Sequence, residues 1–300
     1  MKDWKDEATR LWDTGLYTQR YISDKLGVPK STLNDFLLKY APPRDKKILI
    51  FDIETAPMEV YAWSLWDKYT GHDFIIQDWT VLTWSAKWLG SDGILNASVS
   101  PSDPRDDFDV CEALWQLLDT ADYVVAHNGD KFDIKKMNTR FLMHGLPEPN
   151  VFKSIDTLKV AKRKFKFSSN RLDHIGTVLV DEKKIKHEGF SMWKKCLAGD
   201  ADALKDMVRY NDQDVLLLEK VYLKLRGWDS LHPSLTVRDD TSEEILCPVC
   251  GSDEMVPTGR FAQTQTGIYA THRCGQCGKI SKERRADKTA KQKESLVRPV

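Results

Sequence analysis

From residue 48 onward, apolar runs and polar breaks alternate along the chain in a pattern that predicts layered strands and helices. Four consecutive apolar residues, Ile48 to Phe51, predict a strand over 48–54 that is buried on both faces. Similar runs predict strands over 80–88, 94–100 and 151–155, and a short one at YVVAH (123–127). Phe108, Cys111, Leu114, Trp115 and Leu118 recur at helical spacing and predict a helix over 108–119. Further helices are expected after NGDKFD (128–133), around 171–179, and over a long stretch at 201–225. Strands first, then strands alternating with helices, make this an α/β layer pattern.

The two ends read differently. Residues 5–40 carry Leu11, Trp12, Ile22, Leu26, Leu33 and Leu37 at helical spacings, broken near Gly15 and at Gly27-Val28-Pro29. Three short helices in this arrangement predict an all-α helix-turn-helix module over 1–41. Its third helix would present Lys30, Ser31, Thr32 and Asn34 near its start, where recognition helices meet DNA. APPRDKK (41–47) then reads as a stiff linker, because two prolines cannot continue a helix. Beyond residue 240 the composition shifts to Cys, Gly, Thr and charge, with a basic tail over 283–300 that is expected to be disordered.

Composition adds limits. With 300 residues, 41% of them hydrophobic, the chain can bury a sizeable core and carry smaller appendages. Lys plus Arg (45) equals Asp plus Glu (45), so any affinity for a polyanion must come from local clusters. The start, MKDWKDE, lacks the apolar core of a secretory signal, and no apolar run approaches membrane-spanning length. A cytoplasmic protein with no membrane partner is expected. In such a reducing compartment, CPVC (247–250) and CGQC (274–277) suit a metal better than disulfides. Cys247, Cys250, Cys274 and Cys277 predict a closed tetrahedral site for one structural Zn²⁺, in a ribbon over 241–282. His272 is a competing ligand, though four thiolates suffice; Cys111 is expected in the core.

The strand over 48–54 ends in Asp52 and Glu54. Residues two apart on a strand share a face, so both carboxylates can converge on one point. Two like charges that close repel unless a proton or a divalent cation intervenes, which makes the pair a candidate site for Mg²⁺ or Mn²⁺. Taken alone, the pair is equally well read as a solvated loop. Further acids stand at NGDKFD, with Asp130 and Asp133, and at YNDQD (210–214) on the long helix. Positions four apart share a helical face, so Tyr210 and Asp214 point together while Asp212 is rotated away. Asp130 and Asp156 read as caps or turn formers, and His127 as a structural hydrogen-bonder.

In this order and spacing, "FDIET", "HNGDKFD" and "YNDQD" resemble the three motifs of the DEDD-type 3′-to-5′ exonucleases, which have the RNase H-like fold. Tyr210 puts the chain with the tyrosine subclass, and the resemblance covers residues 46–225 within an expected domain over 46–230. It implies an RNase H-like mixed sheet flanked by helices and a two-metal mechanism on DNA. Asp52 would bridge both ions, Glu54 and Asp214 would hold the one on the water side, and Asp133 the one near the leaving 3′ oxygen. Tyr210 would orient the attacking water. The resemblance also implies a bacterial or viral replication or repair protein acting on single strands or 3′ ends. RNA is left open as a second substrate, and a DNA polymerase as a partner.

Three basic stretches suit phosphates: the helix around Lys30, the tail from Lys279 to Arg298, and a run that includes Lys162, Arg163, Lys164 and Lys166. The last is interleaved with Phe165 and Phe167, the pattern single strands use for stacking. Two rival readings remain. A transposase-like RNase H fold also pairs a helix-turn-helix with acids, but places one acid on its first strand, whereas Glu54 supplies a second. A non-enzymatic DNA-binding regulator would have no need of four intact acids.

Overall fold

The computed structural model describes residues 4–13, 17, 19–40, 46–64, 66, 70–182, 188–236, 245–265 and 267–284. Most of the expected linker and the tail beyond residue 284 lie outside them. The chain divides into two compact units, 1–221 and 222–300, and the division falls inside its longest helix.

The first unit opens with helices α1 (Trp4–Asp13), α2 (Gln19–Leu26) and α3 (Lys30–Tyr40). They close over their own cluster of Ala8, Leu11, Trp12, Ile22, Leu33, Phe36 and Leu37. Strand β1 (Ile48–Thr55) follows, then a small hairpin of β2 (Glu59–Val60) and β3 (Ile75–Gln77), then β4 (Val81–Trp88) and β5 (Leu95–Ser98). The rest alternates: α4 (Phe108–Thr120), β6 (Tyr123–Ala126), α5 (Asp133–Met143), β7 (Lys153–Asp156), α6 (Thr157–Lys164), α7 (Leu172–Val180), α8 (Phe190–Leu197) and α9 (Ala201–Leu225). The sheet runs β5-β4-β1-β6-β7; β4 is antiparallel to both its neighbours, while β1, β6 and β7 are parallel. This is the mixed sheet flanked by helices that the resemblance implied.

The β1–β4 register sorts the two faces. Asp52 lies opposite Ser85, Glu54 opposite Thr83 and Ile50 opposite Lys87, so the acids share a face with the polar residues of β4. The alternate residues Leu49, Phe51, Ile53, Leu82, Trp84 and Ala86 point the other way, into a core with Val110, Leu114 and Leu118 of α4 and Met137 and Phe141 of α5. Helix α9 crosses the polar face. Ser85 Oγ donates to Asp212 Oδ1 at 2.6 Å, Asn96 Nδ2 donates to the same carboxylate at 3.1 Å, and Lys87 pairs with Glu219. The buried Ser85 and Lys87 of this strand face thus find their acceptors on α9, while Thr83 Oγ1 donates to Ala97 O of β5 at 2.7 Å.

Some local structure differs from the sequence expectation. The basic stretch after residue 156 is helix α6, started by Asp156 Oδ1, which accepts from the N–H groups of Leu158 and Lys159. Asp130, expected as a cap or turn former, lies in the turn after β6, and its carboxylate also accepts from Ser154 Oγ and pairs with Lys159 Nζ. Helix α8 and the β2–β3 hairpin answer no periodic signal in the sequence.

The second unit holds the end of α9, a short turn at Arg226–Trp228, and strands β8 (Met255–Gln263), β9 (Ile268–Cys274) and β10 (Ile280–Lys282) in the antiparallel order β10-β9-β8. Gly227 is required here, because a Cβ at this position would stand 2.1 Å from the Cys277 carbonyl oxygen.

Candidate active site and cysteine centre

The carboxylates meet where β1 outruns its neighbour. β1 pairs with β6 only over Ile48–Ile50, so its last residues extend beyond that ladder. The turn after β6 lies beside them. Asn128 adopts a left-handed conformation (φ 73°), and its N–H donates to Asp156 Oδ1 at 3.0 Å. Gly129 passes so close to Ala126 that a Cβ there would stand 2.4 Å from the alanine methyl. The turn brings Asp133, the first residue of α5, to accept from the Ile53 N–H at 3.3 Å.

On the other side, α9 delivers Asp214. One carboxylate oxygen of each of Asp214, Asp52 and Glu54 lies within 4.8 Å of the other two, with Asp214 buried and the β1 acids half-buried. Asn211, a residue the sequence reading passed over, donates from Nδ2 to Asp52 Oδ2 at 2.8 Å across 159 positions of sequence. Asp212 is turned toward Ser85 and Asn96, as its rotation on the helix requires. Tyr210 sits one turn before Asp214. Asp133 lies beside the trio, outside the group of three. Burial pushes its carboxyl up to about 7, and the nearby Asp156 carboxylate adds to the rise, while the N–H groups of Asp133 and Ile53 oppose it. Carboxylates packed this closely, one of them costly to ionise, fit a hard divalent cation with oxygen ligands.

Just past Glu54 the strand borders a cavity of about 430 Å³ whose walls include Thr55, Met58, Trp79, Lys136, Phe190 and Trp193. Trp193 Nε1 donates to Thr55 O at 3.2 Å, which fixes α8 against the end of β1. Sequence patterning could not have found this wall, since its residues come from four separate segments.

A third polar group, Asp107 with Cys111 and His144, is structural. Arg140 donates to Asp107 Oδ1, as does the His144 ring at 2.7 Å, and the Val81 N–H donates to Oδ2 at 2.8 Å. A fixed guanidinium already neutralises that carboxylate, so a metal ion would bring a second cation against the first. Burial alone would raise the Asp107 carboxyl; Arg140, Val81 and His144 outweigh it and hold the group below its ordinary value. Burial also pushes the Cys111 thiol up, as expected of a core cysteine.

The residues expected to meet nucleic acid are scattered. Ser31 and Thr32 are exposed on α3, Asn34 accepts from Gln19 at 3.4 Å, and Lys30 Nζ donates to Asn150 Oδ1 at 2.8 Å. Lys162, Arg163 and Lys164 form the last turn of α6, where cations complement the helix dipole, and Lys166 follows them; all four are exposed.

In the second unit, Cys247 and Cys277 have sulfurs 3.6 Å apart, as do Cys250 and Cys274. The four sulfurs lie within 4.8 Å of one another, and the 3.6 Å separations are too long for disulfide bonds of ~2.05 Å. A tetrahedron with metal–sulfur bonds of ~2.3 Å has corners ~3.8 Å apart, so the spacing fits zinc. Burial works against thiolate formation, but N–H groups of Cys277 and Gln276, together with the Cys250 thiol, bring Cys274 down to about 7. His272 stands apart from the four, 3.7 Å from Glu283.

Residues 88–226 match a family model described as RNase_H superfamily. Together with the mixed sheet and its flanking helices, this gives the first unit a domain of RNase H-like fold. The match begins at the end of β4 and so leaves out Asp52 and Glu54. Comparison with curated proteins finds no match. Among the described residues, no helix is long and apolar enough to cross a membrane.

Proposed function

We propose that this protein is a metal-dependent 3′-to-5′ exonuclease that hydrolyses phosphodiester bonds of DNA, with RNA as the alternative substrate. The observation that carries the proposal is the convergence of Asp52, Glu54 and Asp214 from strand and helix within 4.8 Å, with Asp133 held beside them on the Ile53 N–H. Asp52, Glu54, Asp214 and Asp133 would hold two Mg²⁺ or Mn²⁺ ions. Bound there, the ions supply a nucleophile from water at neutral pH and stabilise charge on the attacking and leaving oxygens. The chain's own part is positional. Asn211 holds Asp52 in orientation, the Ser85 and Asn96 bonds to Asp212 fix the rotation of α9 that aims Asp214 at the site, and Tyr210 orients the attacking water.

The appended parts extend this reading. The three N-terminal helices would form a helix-turn-helix module over 1–41 that contacts DNA through the exposed first turn of α3. The exonuclease domain would span 46–230. A ribbon over 241–282 would be held by one structural zinc, with no position open for catalysis. A role in replication or repair, in a bacterial cytoplasm or a phage-infected host and beside a DNA polymerase, is the context such a set of modules suits. Incubating the protein with 5′-labelled single-stranded and duplex DNA and RNA, with Mg²⁺ or with EDTA, tests the core of the proposal. Stepwise shortening from the 3′ end, abolished by EDTA, is expected; no cleavage of any substrate in Mg²⁺ or Mn²⁺ would reject it.

A further inference from the structure

Side-chain alternation sorts the small sheet of β8, β9 and β10 into two faces. Met255 lies opposite Cys274 and packs in the cluster of the four cysteines, so that face serves the metal-suited centre. The other face is left to solvent. Arg273 stands there between Val256 of β8 and Ile280 of β10, Lys282 lies opposite Thr271, and Tyr269 precedes Thr271 by two positions on the same strand. Val256 is 60% exposed and Ile280 49%; Arg273 and Lys282 are exposed and Tyr269 is half-buried. Apolar surface gathered on one uncovered face marks a contact site.

The charge on this face indicates what covers it. The three strands hold Arg260, Arg273 and Lys282 and no Asp or Glu, in a chain whose acids and bases balance overall. Glu283, the next residue after β10, turns toward His272 of the cysteine face at 3.7 Å. Among the described residues none of the three cations pairs with a carboxylate. Arg273 donates to Gly278 O at 3.5 Å, which orients the guanidinium without neutralising it, and Lys282 Nζ stands 4.5 Å from the centroid of Tyr269. An apolar protein surface pressed here would strip water from these cations and return nothing. A strand of nucleic acid returns both terms, phosphates to the cations and base faces to the apolar side chains between them. A duplex shows phosphates but hides its base faces, which would leave Val256 and Ile280 uncovered.

We infer that this face of the cysteine-bearing sheet is a binding site for single-stranded nucleic acid, with phosphates on Arg260, Arg273 and Lys282 and bases against Val256, Tyr269 and Ile280. The site needs none of the carboxylates. It rests on the exonuclease reading only for the choice of a nucleic acid over an acidic protein segment as the polyanion.

The test follows a labelled oligothymidylate by fluorescence anisotropy across a salt series, with the full chain and no added Mg²⁺ or Mn²⁺. Arg273→Gln with Lys282→Gln is expected to weaken binding at least about tenfold in 0.1 M salt and to lower the slope of log affinity against log salt by about 1.4, or about 0.7 for each phosphate lost. Exchanging the cations, Arg273→Lys with Lys282→Arg, should keep the wild-type slope, and bound zinc should be the same in all three proteins. Val256→Ser with Ile280→Ser should weaken oligothymidylate severalfold at an unchanged slope and leave a strand of abasic sites of the same length unaffected. Unchanged affinity and slope in the glutamine variant would overturn the inference. So would a slope that the exchanged cations fail to keep, or serine substitutions that weaken both strands alike. Binding of polyglutamate that the glutamine variant loses, with oligothymidylate unaffected, would instead assign the face to an acidic protein segment. Hydrolysis of a small diester, the p-nitrophenyl ester of thymidine 5′-phosphate, by the wild type in Mg²⁺ tests the exonuclease reading separately, so the two can fail independently.

Discussion

The two metal-suited clusters of this chain are built in opposite ways. The cysteine centre takes its four sulfurs from two short turns, each a pair of cysteines at a fixed local spacing, and packs them so that they face one another. The carboxylate site takes its oxygens from a strand end, a helix start and the middle of another helix, joined across gaps as long as the 159 positions between Asp52 and Asn211. Soft donors in a closed set suit an ion that holds a fold together, whereas hard donors at a sheet end, two of them half-buried and two buried, suit ions that must also meet a substrate. On the proposed function, the first site would then be a matter of stability and the second a matter of chemistry.

The sharpest test of that contrast is to remove one carboxylate. Asp52→Ala and Asp214→Ala should each lower cleavage by at least about a thousandfold while leaving the far-ultraviolet circular dichroism unchanged, since a lost ligand forfeits several kcal/mol of charge stabilisation. Asp212→Asn should cost much less than Asp214→Asn. The reverse order would mean that α9 is rotated differently in the working enzyme.

The converse test acts on the sulfurs. Cys247→Ser with Cys250→Ser should take copurifying zinc from near one ion per chain to none, measured by metal analysis, and should unfold the ribbon, because structural zinc contributes ~10–16 kcal/mol to such modules. Short oligonucleotides should still be cut. Loss of that activity would break the division of labour between the two sites.

Asp107 sharpens the comparison from a third side, as a buried acid already neutralised by protein. Asp107→Asn should cost about 3 kcal/mol in urea unfolding at neutral pH, because it leaves Arg140 buried without its partner. The sign with pH follows from the lowered carboxyl. Its stabilisation is present above the ordinary value of 3.8 and is lost as pH falls through the lower folded value. The gap between wild type and variant should therefore close only in strong acid.

The smallest expected effect is on the α6 cations. Replacing Lys162, Arg163, Lys164 and Lys166 with Ala should weaken single-strand binding modestly and lower the salt slope by about 0.7 for each phosphate that is no longer neutralised. An unchanged slope would leave these cations the simpler role of complementing the end of α6.

Periodicity and residue chemistry by themselves determined the α/β layers, the long helix over 201–225, the pairing of Asp52 with Glu54 on one strand face, and the two Cys-x-x-Cys turns. Each depends on residues a few positions apart, where strand and helix geometry act directly. The rotation that separates Asp214 from Asp212 was legible for the same reason. Tertiary structure alone decided the rest. Helix α8 is eight residues long behind Gly189, too short for its periodicity to stand out, and it exists because Met192, Trp193 and Cys196 pack on the core. Lys30 has the chemistry of a phosphate-binding residue, yet folding gives it Asn150, a partner 120 positions away. The Asn211 bond to Asp52 and the cavity beyond Thr55 also join segments that no window of sequence contains. Local spacing specifies which groups a turn or strand presents; only the packed sheet and α9 specify which of those groups meet.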